Sequence, residues 1–216
     1  MRSALIVWGG WDGHDPEQVA AIYRRWLHED GFSVRMETSP EAFLDPALKD
    51  LSLIVPCTTS DKISGDAAKN LAAAIASGVG MGGHHGTMGD SFHDSPLYQY
   101  IVGGQWVAHP GNAVDYTVDV VKPDDPVMQA IPASFPYHSE QYYMHVDPGN
   151  EVLATTQFTG AHDAWIDGVV MPVVWKKRFG QGRVFYSALG HSAAEFDNPT
   201  MATILRRGIN WAAREE

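Results

Sequence analysis

Residues 78–90, GVGMGGHHGTMGD, decide the fold of this chain. Residues 79–83 predict a buried strand that ends in a tight glycine turn, and the turn presents His84 and His85. In α/β proteins, a sharp turn at the carboxyl end of a strand is where a nucleophile is displayed. Because a histidine rather than a cysteine occupies the exposed tip, the sequence disfavours covalent thiol catalysis.

Strand-like and helix-like segments alternate around this turn. Short β-prone runs cover residues 3–8, 32–37 and 51–56. A helix with apolar residues at helical spacing follows the first run; Asp15 is a good N-cap for it, Pro16 suits its first position and Gly31 marks its end. An alanine-rich helix is predicted over 67–76. This alternation predicts a parallel sheet with helices on both faces and ligand sites beyond the carboxyl ends of the strands.

The second half of the chain has a different pattern. Further strands are predicted over 114–121, 152–157 and 169–175, and the turn Gly180-Gln181-Gly182 joins the last of these to RVFYSAL as a hairpin. A final helix is predicted from 199 to 213. No linker, repeat or composition shift divides the sequence, so we expect one domain over residues 1–216.

Composition limits the classes of partner. The net charge of −11 and the pI of about 5.2 argue against nucleic acid, because an acidic surface repels phosphate backbones. No apolar stretch approaches the roughly 18 residues that a membrane span needs. We therefore expect a soluble, cytoplasmic protein that takes small neutral or cationic ligands.

The single cysteine, Cys57, excludes an intrachain disulfide and every multi-cysteine metal site. It follows an apolar strand, which favours a partly buried structural thiol. A reactive thiol is the alternative, and it requires a nearby base.

Five titratable residues fall at predicted strand ends or in the loops that follow them: His14, His85, His109, Glu140 and His191. Such positions converge on one rim of a parallel sheet, although each histidine alone is equally compatible with a structural role. Because HExxH and CxxC patterns are absent, a metal site would have to be assembled from distant segments. Glu140 lies in YHSEQYYMHVDPG, a predicted loop or irregular strand, where it would be a general base, a metal ligand or a member of a surface ion pair.

Tryptophans add a possible sugar-binding surface. Those in or near the predicted rim loops are Trp8, Trp11, Trp106 and Trp165, and we expect one of them to contact ligand. Trp106 lies in GGQWVAHPG, which is interpreted either as a structural loop or as a binding loop. Trp26 and Trp211 belong to helix faces and are predicted in the core.

Read together, GGWDGHD, GMGGHHGT, GGQWVAHP, SEQYY and MPVVWKKRFGQGRVFYSALGH resemble the trehalose-utilisation (ThuA-like) family, a branch of the class I glutamine-amidotransferase-like superfamily. The resemblance covers nearly the whole chain. It implies a flavodoxin-like three-layer αβα sandwich with a mainly parallel sheet and an antiparallel hairpin near the C-terminus. It also implies no glutaminase activity, since His85 stands where amidotransferase relatives carry their cysteine. The family pattern marks His14, His85, Gly86, His109, Pro110, Glu140, Tyr142, Trp175 and His191.

The function implied by the resemblance is the use of trehalose or a related disaccharide through a 3-keto sugar, as a lyase or hydrolase. His85 and Glu140 are the expected catalytic residues; those expected to bind substrate are His14, Trp11, Gly86, Trp106 and Tyr142. A divalent metal (zinc, manganese or iron) is expected at His109, His191 and Glu140. The alternatives are a noncatalytic sugar- or metabolite-binding protein and an assembly subunit, and a homo-oligomer is expected in each case.

Overall fold

The computed structural model describes residues 2–215. Its strands are β1 (Ser3–Gly10), β2 (Ser33–Glu37), β3 (Leu53–Thr59), β4 (Gly80–His84), β5 (Gly104–Ala108), β6 (Ala113–Val120), β7 (Ser134–Glu140), β8 (Tyr143–Val146), β9 (Glu151–Gln157), β10 (Val170–Phe179) and β11 (Gly182–Ser187). Its α-helices are α1 (Pro16–Glu29), α2 (Gly65–Ala76), α3 (His85–Gly89), α4 (Pro96–Val102) and α5 (Pro199–Ala212).

Nine strands form one mixed sheet in the order β2-β1-β3-β4-β11-β10-β9-β6-β7. The first five strands of this order are parallel, and the remaining pairings are antiparallel. The predicted hairpin is β10–β11, whose last strand inserts beside β4. Strands β5 and β8 form a separate antiparallel pair. The flavodoxin-like α/β fold predicted from the sequence is therefore confirmed, with an antiparallel half that is larger than one hairpin.

Helices cover both faces of the parallel half. On one face α1 and α5 lie side by side, joined by a hydrogen bond from Arg206 to Asp30 at 2.6 Å. Helices α2 and α4 pack on the other face. Glycines allow α5 to lie directly on β4, since a Cβ at Gly80 would lie 2.1 Å from the carbonyl oxygen of Ala212. The glycines of this segment thus serve close packing as well as the turn.

Two local predictions need correction. Asp15 occupies the predicted N-cap position of α1, but its backbone is left-handed (φ 48°) and its side chain makes no cap hydrogen bond; its carboxylate instead accepts a hydrogen bond from the Ala193 amide at 3.1 Å. Residues 104–108, interpreted as part of a loop, form a regular strand, and the segment from Tyr137, predicted as a loop or irregular strand, begins inside the regular strand β7. The partner of β5 is β8, almost 40 residues further along, so no local pattern shows the pairing.

Cysteine and tryptophan burial differs in detail from the sequence expectation. Cys57 is fully rather than partly buried, and this burial raises the pKa of its thiol. Trp26 and Trp211 pack against the core but are only partly buried. Among residues 2–215, no helix is long and apolar enough to cross a lipid bilayer.

Candidate active site

The turn between β4 and α3 sends its two histidines in different directions. His84 ends the strand and packs against Tyr23 and Phe196 on the α1 side of the sheet. His85 takes a left-handed backbone (φ 42°), the strained conformation typical of a sharp strand-to-helix turn. The expectation of an exposed tip is wrong: the His85 side chain is fully buried, because the Tyr142 ring stacks on it with centroids 3.9 Å apart.

A compact cluster forms where His85 meets two residues from distant segments. Glu140 is the last residue of β7, and His191 follows β11. The His85 Nε2 atom lies 3.1 Å from Glu140 Oε2, and His191 Nδ1 lies 3.3 Å from the same oxygen. The two imidazole nitrogens are themselves 3.4 Å apart. Three polar atoms therefore converge on one point beyond the carboxyl ends of the parallel strands.

The hydrogen-bond partner of His85 determines which of its ring nitrogens carries a hydrogen. His85 Nδ1 lies 2.8 Å from the carbonyl oxygen of Ala188, and because a carbonyl only accepts, Nδ1 must carry its hydrogen. In the neutral ring, Nε2 is then a bare lone pair facing a carboxylate. Two acceptors at 3.1 Å need a shared proton or a cation between them.

The ionisation of the cluster follows from the same contacts. Burial opposes ionisation of Glu140, but its hydrogen-bond contacts with His191 and His85 outweigh the effect of burial, so the pKa of this carboxyl lies well below its usual range. The hydrogen bond with Glu140 raises the pKa of His191. Burial, reinforced by the neighbouring histidines, lowers the pKa of His14 to about 3. At neutral pH, Glu140 is therefore ionised and His14 is neutral.

His14 completes a set of metal-ligating groups. One donor atom each from His14, His85, Glu140 and His191 lies within 4.8 Å of the others. A hydrogen bond of 2.8 Å between His14 Nδ1 and the Thr59 hydroxyl fixes the orientation of the ring. The ligand set predicted from the sequence was His109, His191 and Glu140; the structure brings the last two together, whereas His109 stands 3.8 Å from Glu140 and outside the set.

A cavity of about 270 Å³ opens above this cluster. Its lining consists of Trp11, His14, Ser60, Asp90, Trp106, His109, Glu140 and Tyr142. Of the cluster, Glu140 and His14 therefore reach the cavity, while His85 lies behind them. Trp165 is 80% exposed and does not line this cavity, and neither does Trp8.

Gly86, expected to bind substrate, lies beneath the cavity lining. A Cβ at this position would lie 2.2 Å from the His14 ring and 2.9 Å from the Tyr142 hydroxyl. The glycine therefore allows these two side chains to approach the first turn of α3. Its role in the structure is close packing.

Tyr142 supplies a proton donor to the cavity. Burial raises the pKa of its phenol well above the usual value, and nearby acidic groups, among them Glu140 and Asp90, add to the effect. The phenol therefore stays protonated at neutral pH. Ser60 and Asp90, which share the lining, were not predicted; they follow β3 and α3, and only their position after strand and helix ends would have indicated them.

A larger depression of about 620 Å³ lies over the antiparallel half. Exposed strand residues such as Asp115 and His138 line it. None of the four clustered donor residues lines this depression. The smaller cavity is therefore the candidate active site.

The fold and the site define a flavodoxin-like α/β protein with a histidine at the strand-to-helix turn. The sequence profile of the family described as ThuA, trehalose utilisation, matches residues 3–212. The chain belongs to this family. Among curated proteins, none matches the sequence.

Solved structures show the same fold. A ThuA-like protein from Bacteroides uniformis superposes with a TM-score of 0.80 at 21% identity, over 98% of this chain and 91% of that one. A ThuA-like protein from Parabacteroides merdae gives a TM-score of 0.76 at 18% identity, over 98% and 89%. A cytoplasmic protein from Salmonella typhimurium gives 0.64 at 13% identity over the full length of both chains. At these identities the likeness concerns the fold.

Proposed function

We propose that this protein acts on a 3-keto sugar or glycoside derived from trehalose or a related disaccharide, as a lyase or hydrolase without glutaminase activity. The observation that carries the proposal is a cavity lined by an ionised carboxylate, Glu140, a protonated phenol, Tyr142, and two tryptophans, Trp11 and Trp106. Aromatic faces suit the C–H surfaces of sugar rings. The description of the family, trehalose utilisation, supports the same class of substrate.

The size of the cavity suits one sugar ring. Small-molecule sites start at about 300 Å³, and 270 Å³ lies just below this range. The second ring of a disaccharide would project past Trp11, whose side chain is half exposed. Because Glu140 and Tyr142 line the cavity, the proposal assigns the keto ring as the part that enters.

The chemistry follows from the acidity of a C–H bond beside a ketone. Glu140 takes the C2 proton, and the C–H electron pair forms the C2–C3 double bond of an enolate. The enolate then collapses, the C1–O bond breaks, and the leaving oxygen receives the proton from Glu140. Addition of water to the resulting enone completes a hydrolysis; without it, the reaction is an elimination.

A low pKa makes Glu140 a weak proton acceptor, so the enolate must be stabilised strongly. In this proposal the Tyr142 hydroxyl donates a hydrogen bond to the oxygen that becomes negative, as in an oxyanion hole. His109, at the same cavity wall, is a second donor. His85 is buried behind Glu140 and acts as a positioning residue.

A divalent ion fits the donor set of His14, His85, Glu140 and His191. Three imidazoles and a carboxylate are ligands that zinc, manganese and iron accept, and the bond from His85 Nδ1 to a backbone carbonyl is typical support for a metal-bound ring. When bound, such an ion would supply a Lewis acid beside the cavity. With or without it, Glu140 remains ionised and Tyr142 remains a donor.

The proposal is tested with 3-keto-trehalose as substrate. We expect loss of the keto sugar, and the product masses distinguish elimination, which conserves atoms, from hydrolysis, which adds one water. Glu140→Gln should lose most of the turnover, His85→Gln should lower kcat with little change in KM, and the exposed control Glu151→Gln should behave as wild type. Full turnover by Glu140→Gln would contradict the assignment. Saturable binding without product would favour a noncatalytic sugar-binding protein.

Metal content is measured separately, by elemental mass spectrometry on protein prepared without chelator. We expect about one ion per chain. His85→Ala should lose it, whereas His138→Ala, an exposed histidine outside the cluster, should keep it. Wild-type protein that contains no metal would favour acid–base chemistry without a metal ion.

The cytoplasmic location we propose agrees with the name of the Salmonella relative.

A further inference from the structure

The cavity contains a second carboxylate that the chemistry above does not use. Asp90 follows α3, and its side chain, 12% exposed, lines the cavity together with Glu140. The hydrogen bonds of Asp90 do not involve the histidines of the Glu140 cluster. The two acidic groups therefore belong to separate networks that share one cavity.

Asp90 is held in place from two sides. Ser60, which follows β3, donates its backbone N–H to the Asp90 carbonyl at 2.9 Å and its hydroxyl to Asp90 Oδ2 at 3.3 Å. On the other side, His93 Nε2 is hydrogen-bonded to Asp90 Oδ1. Gln105 Nε2 donates to His93 Nδ1 at 2.7 Å, so Nε2 is the nitrogen that carries the hydrogen. This chain of contacts fixes the direction of the carboxylate.

The Asp90 carboxylate can accept further hydrogen bonds. Within residues 2–215, the side-chain partner of Oδ2 is the Ser60 hydroxyl at the long end of the hydrogen-bond range. A carboxylate oxygen has room for a further donor, and the Ser60 hydroxyl can also accept. A matching ligand must therefore offer hydrogen-bond donors, and the hydroxyl groups of a sugar supply them.

The other residues that line the cavity are chemically complementary to a polyhydroxylated ring. Trp11 and Trp106 present apolar surface in the same cavity. A sugar ring combines apolar C–H faces with an edge of hydroxyls, so a lining of aromatic rings and a rigid acceptor is complementary to it. A simple ammonium ion would satisfy the carboxylate and could contact a tryptophan face, but it would fill only a small part of the cavity of about 270 Å³.

We propose that Asp90, oriented by His93 and Ser60, binds hydroxyl groups of the sugar ring and thereby holds the ring in the cavity. Asp90 is a binding residue, distinct from the groups that move protons. The ligand class rests on the proposed function, whereas the placement of Asp90 in the cavity does not.

The test is Asp90→Asn against the matched control Asp94→Asn, an exposed aspartate four residues later. The probe is 3-keto-trehalose, with binding measured by tryptophan fluorescence and turnover by steady-state kinetics. A charged hydrogen bond contributes enough for a loss of about 10–100-fold. Asp90→Asn should therefore raise Kd and KM about 10–100-fold with kcat nearly unchanged, and Asp94→Asn should match wild type.

Glu140→Gln separates this inference from the proposed function. It should bind the probe as wild type does while losing turnover, and wild-type protein that neither binds nor converts the probe would refute the proposed function itself. If wild type binds and Asp90→Asn binds equally well, the role of Asp90 is refuted. Should Asp90→Asn fail to fold, His93→Ala replaces it, because the His93 ring is 37% exposed. That variant should weaken binding several-fold, and wild-type affinity would overturn the inference.

Discussion

Replacement of Gly86 by alanine tests the packing that holds the site together. The added Cβ would lie 2.2 Å from His14 Cε1 and 2.7 Å from His14 Nδ1, where ordinary contacts are about 3.5–4.0 Å. The His14 ring is held in place, because it is 2% exposed, hydrogen-bonded to Thr59, and in edge contact with the rings of Trp11 and His191. To restore an ordinary contact distance, either α3 or the His14 ring must shift by about 1 Å or more.

Overpacking of this kind costs about 1–3 kcal/mol. For a chain of this length, each kcal/mol lowers Tm by about 2–4 °C, so Gly86→Ala should melt about 2–12 °C below wild type in circular dichroism. Binding of 3-keto-trehalose should weaken as well, because the same shift moves Tyr142. The control is Gly65→Ala at the start of α2, where an added Cβ meets nothing within 4 Å and Tm should be unchanged or higher. A Gly86→Ala protein with wild-type Tm and wild-type binding would refute the packing argument.

Three further results are expected. Trp175→Phe removes the indole donor from the Val102 carbonyl, a bond of 2.9 Å, and should lower the free energy of unfolding in urea by about 1–3 kcal/mol; an unchanged midpoint would contradict this. Burial opposes ionisation of Asp30, but the hydrogen bond from Arg206 outweighs it and lowers the pKa below 3.8, so this stabilisation is present above pH 3.8 and is lost as pH falls through the folded-state pKa. Asp30→Asn should therefore lower Tm at pH 7, and its difference from wild type should shrink as pH falls below 3.8 and the carboxyl becomes protonated. Cys57 should resist thiol reagents in native protein and react on unfolding, because it is fully buried.

The parallel half of the fold was predictable because its signals are local. Strands β1 and β3 are short apolar runs that end beside glycine or serine, and the helix α1 between strands carries its own periodicity. The hairpin of β10 and β11 was equally local, since Gly180-Gln181-Gly182 marks its turn. The pair β5–β8 was missed because its register joins Gly104 to Val146, and no pattern in either segment specifies the other.

The site was predictable in residue type more than in arrangement. Strand-end positions indicated His14, His85, Glu140 and His191. What the sequence did not contain was the cover over His85, because the stacking of Tyr142 depends on how β7 and β8 meet α3. Asp90 was missed for a similar reason: its environment comes from Ser60 and from Gln105 of β5, both remote in sequence.

The parallel and antiparallel halves of the sheet contribute different residues to the site, so the site forms only when both halves are in place. His14, Ser60 and Asp90 follow elements of the parallel half, whereas Glu140 and Tyr142 come from the end of β7, the edge strand of the antiparallel half. The carboxylate therefore reaches His85 only while the antiparallel half is docked against α3. Ligand that bridges Asp90 and Glu140 would bind the docked state alone, and by mass action it would stabilise the edge strand that lies furthest from the parallel core.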